Sequence, residues 1–345
     1  VAQANSVATA TTGTVQFSGG ITDSTTNLMN GDSSAISTGL STAKTDDSDV
    51  VITANTAVTV AQFNLLDAAT SSAIVLSGGI SDTAANLAPS GTASSGLTNS
   101  TTQDGDVAIT ITGTAPTVDE LNKIASLTTG VVTASISGNK TTLAGLDTAS
   151  GDAVTATVTD AVTVAEFNTL DGKTSVGVIL SGGVSDAAAA YASTTGTATS
   201  GRNAIAAQDG DAALTVTDAA TVAQANSVAT ATTGTVQFSG GITDSADALG
   251  ADGNLTSGYN AARADDSDVN VIINDTPTIA ELNAIAGGTT GTTTAALSGN
   301  KAALATLTTA SDDAITMTVT DAVTVAEFNT LDGKTNVGVI LTGGV

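Results

Sequence analysis

Short stretches of this chain alternate apolar and hydroxyl-bearing residues. In the segment 155–160, TATVTD, Ala156 and Val158 alternate with three threonines, and the segment 315–321, ITMTVTD, shows the same order. An alternation of period two that is rich in β-branched residues predicts a strand with one buried face. We therefore expect the alanine, valine, isoleucine and methionine positions to face inward and the threonines to face outward.

A second pattern, T-[VI]-x-[EQ]-x-N, predicts short helices between the strands. In TVAEFNTL, Thr163 can cap a helix, Glu166 stands where a capping box needs it, and Val164, Phe167 and Leu170 fall on one face. The pattern recurs six times, beginning at Thr59, Thr117, Thr163, Thr221, Thr278 and Thr324. In the intervening coils, we expect helices to start at the cap residues Ser185 and Asp186, or at Asn139 and Asn300.

These elements recur as coils, and the coils recur as a longer unit. Cutting before each apolar strand gives coils of 36, 23, 34, 24, 22 and 23 residues over 14–175, and of 36, 23, 34, 23, 22 and 23 over 176–336. The chain therefore holds two super-repeats, of 162 and 161 residues. We expect 1–345 to be a single continuous solenoid segment with both ends cut within repeats, because the segment that opens at Val1 recurs from Val222.

The repeat predicts an α/β fold, a right-handed solenoid of about 22–24-residue strand-plus-short-helix coils with one long parallel β-sheet. An all-β parallel β-helix is the alternative, but capping boxes have no purpose in an all-β coil. Four longer coils carry about a dozen extra residues, such as those starting at Thr199 and Thr256. We expect these excursions to project as a discontinuous ridge.

Composition supports a thin, repeated core and limits the partners. The chain has no Cys, no His and no Trp, only five Phe and two Tyr, and a net charge of −25 from 8 basic and 33 acidic residues. Nucleic acids and anionic membranes are bound by basic residues, so we expect neither partner, and no direct membrane insertion of this segment. Without histidine, cysteine or a distinctive carboxylate pair, we expect no enzyme, although a polysaccharide-acting enzyme is a weak alternative.

Acidic loops precede the inward strands and suggest a metal. Oxygen-rich loops with alternating aspartates and glycine suit Ca²⁺, which takes six to eight oxygen ligands. The alternative is that these are solvated aspartates that form turns. The candidate Ca²⁺ ligands are Asp104, Asp106, Asp209, Asp211, Asp265 and Asp268.

Two other recurrent features are interpreted as structural. The Asn that closes each T-[VI]-x-[EQ]-x-N pattern is expected to pair with backbone groups of the neighbouring coil. Lys173 and Lys334 stand in GKT segments, but Phe167 and Phe328 replace the earlier glycine of a phosphate-binding loop, so we interpret both as turn lysines. Rows of outward threonines leave an ice-binding or glycan-binding surface as a further alternative.

The segments NTLDGKT, VTDAVTVAEFN, SGNKAALATL and SGGISD resemble the tandem repeats of giant cell-surface proteins of marine cyanobacteria, including swimming-motility and adhesin-like repeat proteins. The resemblance covers essentially the whole chain and implies an extracellular, cell-surface structural protein forming a rod or filament, with a spacer, stalk, motility or surface-layer role. Its partners would be further repeats of the same or like chains along the rod axis.

The alternative function is a calcium-dependent adhesin or glycan-binding module. It would use surface glycans as partners and the ridge around Arg202, Tyr259 and Arg263 as its binding surface.

Small-angle scattering on residues 1–345 tests the solenoid directly. A compact 345-residue chain has a radius of gyration of about 20 Å, and stacked coils should give a clearly larger value. A spherical scattering profile would contradict the expected architecture.

Overall fold

The computed structural model describes residues 1–344 and divides the chain into two compact units. The first unit comprises Val1–Thr159 and Thr169–Ile179, and the second comprises Asp160–Asn168 and the chain from Leu180 onward. The helix α9, Val164–Asp171, has residues in both units.

Helices and strands alternate along each unit. The first unit contains α1 Ala2–Thr9, β1 Ile21–Asp23, α2 Thr25–Leu28, α3 Thr38–Asp46, β2 Ile52–Ala54, α4 Val60–Asp67, β3 Ile74–Val75, β4 Ile80–Thr83, α5 Ala84–Leu87, a 3₁₀ turn Pro89–Gly91, α6 Ser95–Gln103, β5 Ile109–Thr112, α7 Val118–Ala125, β6 Val132–Gly138, α8 Lys140–Leu143, β7 Ala153–Val158 and β8 Val178–Ile179. The second unit contains β9 Val184–Asp186, α10 Ala188–Tyr191, α11 Ser200–Gln208, β10 Leu214–Val216, α12 Val222–Ala229, β11 Val236–Phe238, β12 Ile242–Asp244, α13 Ala246–Leu249, a 3₁₀ turn Ala251–Gly253, α14 Ser257–Asp265, β13 Val271–Ile273, α15 Ile279–Ala286, β14 Thr293–Gly299, α16 Lys301–Leu304, β15 Ala314–Val319, α17 Val325–Asp332 and β16 Ile340–Leu341.

The fold is mixed α/β with parallel sheets, which confirms the α/β prediction and shows that the all-β alternative is wrong. Strands pair with the corresponding strand of the next coil, as where Ile52 pairs with Ile74 and Leu214 with Val236. The expectation of one long sheet is wrong. Over residues 1–344 the strands form four parallel sheets, β1–β3 and β4–β8 in the first unit, and β9–β11 and β12–β16 in the second.

The sheets change at a Ser-Gly-Gly segment. The first strand of every sheet follows such a segment directly: β1 after 18–20, β4 after 77–79, β9 after 181–183 and β12 after 239–241. Three of these segments also come within two residues of the last strand of the preceding sheet. The chain therefore passes from one sheet to the next through two glycines. In one continuous sheet, ordinary strand residues would occupy these positions.

In the segment 77–79, both glycines are required by a close backbone approach. A Cβ on Gly78 would lie 2.2 Å from the carbonyl carbon of Thr56, in the preceding coil. Gly79 has a φ of +77°, and a Cβ there would lie 2.7 Å from the carbonyl oxygen of Ala108, in the following coil. Any side chain would therefore clash on one glycine or be strained on the other.

The inward faces of the strands form the core, as the alternation predicts. In β7, Val154, Ala156 and Val158 are buried, and in β15 the residues Ile315 and Met317 have no exposed surface. The helices cover this layer with the predicted faces, since the side chain of Phe167 is likewise fully buried. Small and β-branched residues thus form a thin layer between sheet and helices, with an occasional aromatic side chain.

The predicted capping boxes are present at all six positions. In α9, the Thr163 Oγ1 accepts the Glu166 N–H at 3.2 Å, and the Glu166 carboxylate accepts the Thr163 N–H at 2.8 Å. At the start of α17, hydrogen bonds from the Thr324 N–H and then from Lys301 lower the pKa of Glu327 to about 2. Because the folded-state pKa lies below the usual value, this contact stabilises the fold at neutral pH and is lost as the pH falls through the lowered value.

The predicted starts of the other helices are partly right. Asn139 and Asn300 cap α8 and α16 by accepting the Thr142 and Ala303 N–H groups. The predicted start at Ser185 and Asp186 is wrong, because both residues belong to β9 and the helix α10 begins at Ala188.

The four long coils each contain an additional helix, α3, α6, α11 or α14. These helices pack with one face against the fold, since Leu40, Leu97 and Tyr259 are fully buried. Their projection as a ridge stays a prediction. A glycine allows this docking, since a Cβ on Gly96 would lie 2.1 Å from Val60 Cγ1 in α4, the helix of the preceding coil. The extra residues thus add a second helical layer against the preceding coil.

Aspartates of one coil cap the helices of the coil before it. Three of them accept the first N–H of a helix 22 residues earlier, each at 3.0 Å: Asp82 from Val60, Asp186 from Val164 and Asp244 from Val222. Three others do the same for the short helices: Asp218 for Ala188 at 2.6 Å, Asp275 for Ala246 at 2.8 Å and Asp321 for Lys301 at 2.7 Å. A carboxylate at a helix N-terminus satisfies a free donor and opposes the positive end of the helix dipole. In these six places, a coil completes a helix cap of its predecessor.

Substitution of a sheet-changing glycine should be far more harmful than substitution of an open one. Gly78→Ala places a methyl group 2.2 Å from the Thr56 carbonyl carbon, far inside van der Waals contact. We expect it to lower the free energy of unfolding by about 3 kcal/mol, as a severe overpacking defect does. A Cβ added at Gly151 would have no other atom within 4 Å, so Gly151→Ala is the matched control. Urea unfolding followed by circular dichroism measures both. Equal effects of the two variants would contradict the assigned role of the Ser-Gly-Gly segment.

Candidate functional site: the paired aspartates

The acidic loops begin where the additional helices end. Asp47, Asp104, Asp209 and Asp266 are the C-terminal cap residues of α3, α6, α11 and α14, and they share one backbone conformation, with φ and ψ of −133° and 87° at Asp104. The N–H of Asp104 still donates to the carbonyl oxygen of Ser100. The chain then turns into the next inward strand, so the same loop is built four times.

The first aspartate of each loop accepts a hydrogen bond from the preceding coil. The carboxylate Oδ2 accepts a backbone N–H just after or at the end of an apolar strand segment: Phe17 to Asp47 at 2.6 Å, Leu76 to Asp104 at 2.8 Å, Leu180 to Asp209 at 2.5 Å and Phe238 to Asp266 at 2.6 Å. Asp47 and Asp266 are buried, with 4% and 7% of their surface exposed. These side chains are therefore structural acceptors that join two coils.

The second aspartate lies two residues further on and is exposed. In three loops its carboxylate lies close enough to the first to raise that residue's pKa: Asp106 beside Asp104, Asp211 beside Asp209 and Asp268 beside Asp266. Burial is the largest cause and raises the pKa of Asp104; the Leu76 N–H, which donates to this carboxylate, opposes it, and the nearby Asp106 carboxylate raises the pKa further. The pKa of Asp209 and that of Asp266 are raised for the same reasons. Each pair concentrates negative charge at the edge of the fold.

The structure brings together four of the six predicted calcium ligands, as the pairs Asp104 with Asp106 and Asp209 with Asp211. In the third loop, the partner of Asp268 is Asp266, which the sequence analysis left out, and Asp265 is the last residue of α14. Aligning DDSD with QDGD on its second residue identifies Asp266, and also places Asp47 and Asp49 in the fourth loop.

A calcium site here would need oxygen ligands besides the two carboxylates of a pair. Within residues 1–344, no three acidic side chains come together as a metal-binding group. A cation at Asp104 and Asp106 would therefore take most of its six to eight ligands from backbone oxygens or water.

The surface suggested for an adhesin is largely used inside the fold. Tyr259 is fully buried, and burial raises its pKa to about 12. Arg202 donates to the carbonyl oxygen of Ser227, and Arg263 donates to that of Gly288 at 3.3 Å. These carbonyls lie in or just after the last turns of α12 and α15, where a cation opposes the negative end of the helix dipole.

The lysines and asparagines also have structural contacts. Lys334 donates to the Leu307 carbonyl oxygen, and Lys173 lies 3.7 Å from the Asp147 carboxylate, in agreement with their interpretation as turn lysines. Asn122 donates to the Gly145 carbonyl oxygen at 2.7 Å, and its Oδ1 accepts the Asp147 N–H at 2.7 Å. Asn283 does the same with Thr306 and Thr308, so the predicted pairing with the next coil is confirmed at these two asparagines.

One groove in the first unit has a volume near 330 Å³. It lies beside β6 and β7, under the loop that contains Gly113 and Pro116, and its wall includes Thr133, Ser135 and Thr155. The wall contains no carboxylate or basic side chain, so these hydroxyl groups have no neighbouring base to activate them. The groove therefore offers no acid–base pair for catalysis.

Neutralising one member of an aspartate pair should stabilise the protein at neutral pH. The pKa of Asp104 is raised in the fold, so its favourable contribution is complete below the unfolded value and is lost as the pH rises through the folded value. Asp106→Asn removes the facing charge, so we expect a higher melting temperature at pH 7 and a difference that shrinks as the pH falls to about 4. Asp312→Asn, an exposed carboxylate, is the charge-matched control.

Calorimetry in millimolar CaCl₂ and in excess chelator, both at high NaCl, extends the same experiment to calcium. If the calcium prediction holds, calcium raises the melting temperature of the natural protein more than that of Asp106→Asn. Equal responses would leave the pairs as structural and solvated aspartates.

No helix within residues 1–344 combines the length and the apolar character needed to cross a membrane. Comparison with protein-family models, with curated proteins and with solved structures found no match. The function is therefore argued from the arrangement of the residues themselves.

Proposed function

We propose that the chain is an extracellular structural repeat protein, in which stacked coils form part of a right-handed solenoid that acts as a cell-surface rod or filament. The observation that carries this proposal is the repeated hydrogen bond from a helix N-terminus to a carboxylate of the next coil, as between Val60 and Asp82. A structure in which each coil completes its neighbour is extended by adding coils, and its function is then to span a distance.

The polar and charged side chains support a structural role. Asp82, Asp186 and Asp244 cap helices, Arg202 and Arg263 bind carbonyl oxygens at helix ends, and Asn122 joins two coils. An enzyme concentrates such groups in one cleft, whereas here the same contacts recur in successive coils. We therefore propose a spacer, stalk, motility or surface-layer role without catalysis.

The acidic surface supports an extracellular location of the rod. A net charge of −25 keeps chains apart in dilute salt, and salt or divalent cations outside the cell reduce this repulsion. The exposed Asp106, Asp211 and Asp268 place part of this charge at repeating positions, where calcium would act on stiffness. A calcium-dependent adhesin shares this charge pattern, but Tyr259, a residue of its suggested surface, is buried.

Immunogold electron microscopy on intact source cells tests the proposal. Antibodies raised against residues 1–345 should label filaments, stalks or a layer outside the cell envelope, and brief protease treatment of whole cells should remove the label. Labelling confined to the cell interior, or insensitive to external protease, would contradict the proposed location and role. Pre-immune serum and an antibody to a cytoplasmic protein serve as controls.

A further inference from the structure

The exposed faces of the sheets are free of charge. In the five-stranded sheet of the first unit, the outward positions are all Thr, Ser, Ala or Ile: 81, 83, 110, 112, 133, 135, 137, 153, 155, 157 and 179. In the corresponding sheet of the second unit they are again Thr, Ser, Ala or Ile: 243, 272, 294, 296, 298, 314, 316, 318 and 340. None of these positions holds any of the 33 acidic and 8 basic residues of the chain.

Most of the exposed large apolar side chains lie on outward sheet faces, four of them in the two five-stranded sheets and two, Val51 and Val75, in the three-stranded sheet β1–β3. Eight such side chains are exposed within residues 1–344, and two of them, Val7 and Val325, lie in the helices α1 and α17. The other six occupy outward positions in a strand or directly before one: Val51, Val75, Val131, Ile179, Ile272 and Ile340, with 41% to 49% of their surface exposed. Exposed apolar residues that lie on uncharged sheet faces indicate interaction surfaces.

We propose that the outward sheet faces bind the same faces of a second copy of this chain, so that chains associate side by side. The charge distribution favours a second copy of the chain as the partner. Two copies that approach through any acidic surface bring like charges together, whereas contact through the sheet faces keeps those charges at a distance. Small, β-branched and hydroxyl side chains also suit sheet-on-sheet packing, in which two sheets lie about 10 Å apart with interdigitating side chains.

A neutral polysaccharide is the competing occupant, and the aromatic residues argue against it. Sugar rings are commonly bound by stacking on exposed aromatic side chains, yet Tyr191, Tyr259, Phe63, Phe167 and Phe238 are all buried. The remaining two phenylalanines, at 17 and 328, lie outside the strands. No aromatic platform therefore stands on either sheet face for a sugar to stack on.

The size of the face sets the strength of the contact. Five strands spaced about 4.8 Å apart, with up to seven residues each, present roughly 400–500 Å². A stable interface needs about 800 Å² per partner. One sheet therefore supports only weak association, and repetition of the sheet along a chain strengthens it by multivalency. This inference goes beyond the proposed function, since the faces can bind each other wherever the protein is located.

Sedimentation equilibrium of the full chain tests the proposal. We expect weak self-association that becomes at least tenfold stronger between about 0.05 M and 1 M NaCl, because salt screens the repulsion between the acidic surfaces while leaving the neutral contact intact. A chain that stays monomeric at high concentration in 1 M NaCl overturns the proposal, and a monomer that binds a neutral glucan column would assign the face to glycans.

Two variants of equal charge locate the contact. The first carries glutamates on the sheet faces: T133E, T155E, I179E, T294E, T316E and I340E. The control carries six glutamates at exposed helical positions: S95E, N99E, T141E, S257E, A264E and A302E. We expect the first variant to lose salt-induced association and the control to keep it, with folding of both checked by circular dichroism. Loss in both variants, or in neither, overturns the assignment to the sheet faces, and the salt response of the natural protein remains decisive if a variant does not fold.

Discussion

The hydrogen bond between a helix N-terminus and an aspartate of the next coil is the contact on which the rest of this fold depends. A helix of four residues, such as α13, has as many free N–H groups as a long helix and almost no internal hydrogen bonds to offset their cost. The Asp275 carboxylate accepts one of these N–H groups at 2.8 Å from the following coil. Helices this short are thus stabilised mainly by their neighbours, which makes the coil a cooperative unit only within a stack.

This dependence explains why the chain is acidic. An uncharged acceptor could cap the same donors, as Thr56 does for Thr25, but a carboxylate also interacts with the positive end of the helix dipole. The few basic residues serve the opposite ends, where Arg263 and Lys334 donate to carbonyl oxygens of neighbouring coils. The charge imbalance therefore reflects the number of N-terminal caps and loop carboxylates, and the cost is the repulsion within pairs such as Asp104 and Asp106.

Features set by local sequence could be predicted, and features set by contacts between coils could not. The capping box of Thr163 and Glu166 and the buried row of Val154, Ala156 and Val158 depend on residues a few positions apart, and both are confirmed. The sheet change at Gly78 depends on the backbone of Thr56, which lies just after β2 in the coil before it, and a contact over that distance in the chain leaves no local pattern. The choice of Asp265 over Asp266 has a different origin, since the two adjacent residues differ only in which one reaches Phe238.

The sheet faces are free of charge because charged acceptors are needed only at particular places in a coil. Aspartates are needed where helices begin and where loops enter strands, and both places lie at the ends of the sheet strands or on the helical side of the coil. The middle of each strand has its backbone groups paired with the strands beside it, so it needs no charged acceptor, and β-branched and hydroxyl residues suffice there. A highly acidic chain thereby acquires two kinds of surface, a charged helical side that repels its copies and a neutral sheet side that does not. Repulsion between the charged helical sides grows with every added coil, and the contact area of the neutral sheet faces grows in the same proportion. Long chains can therefore approach one another through their sheet faces. The position of those faces follows from the way that coils cap their neighbours.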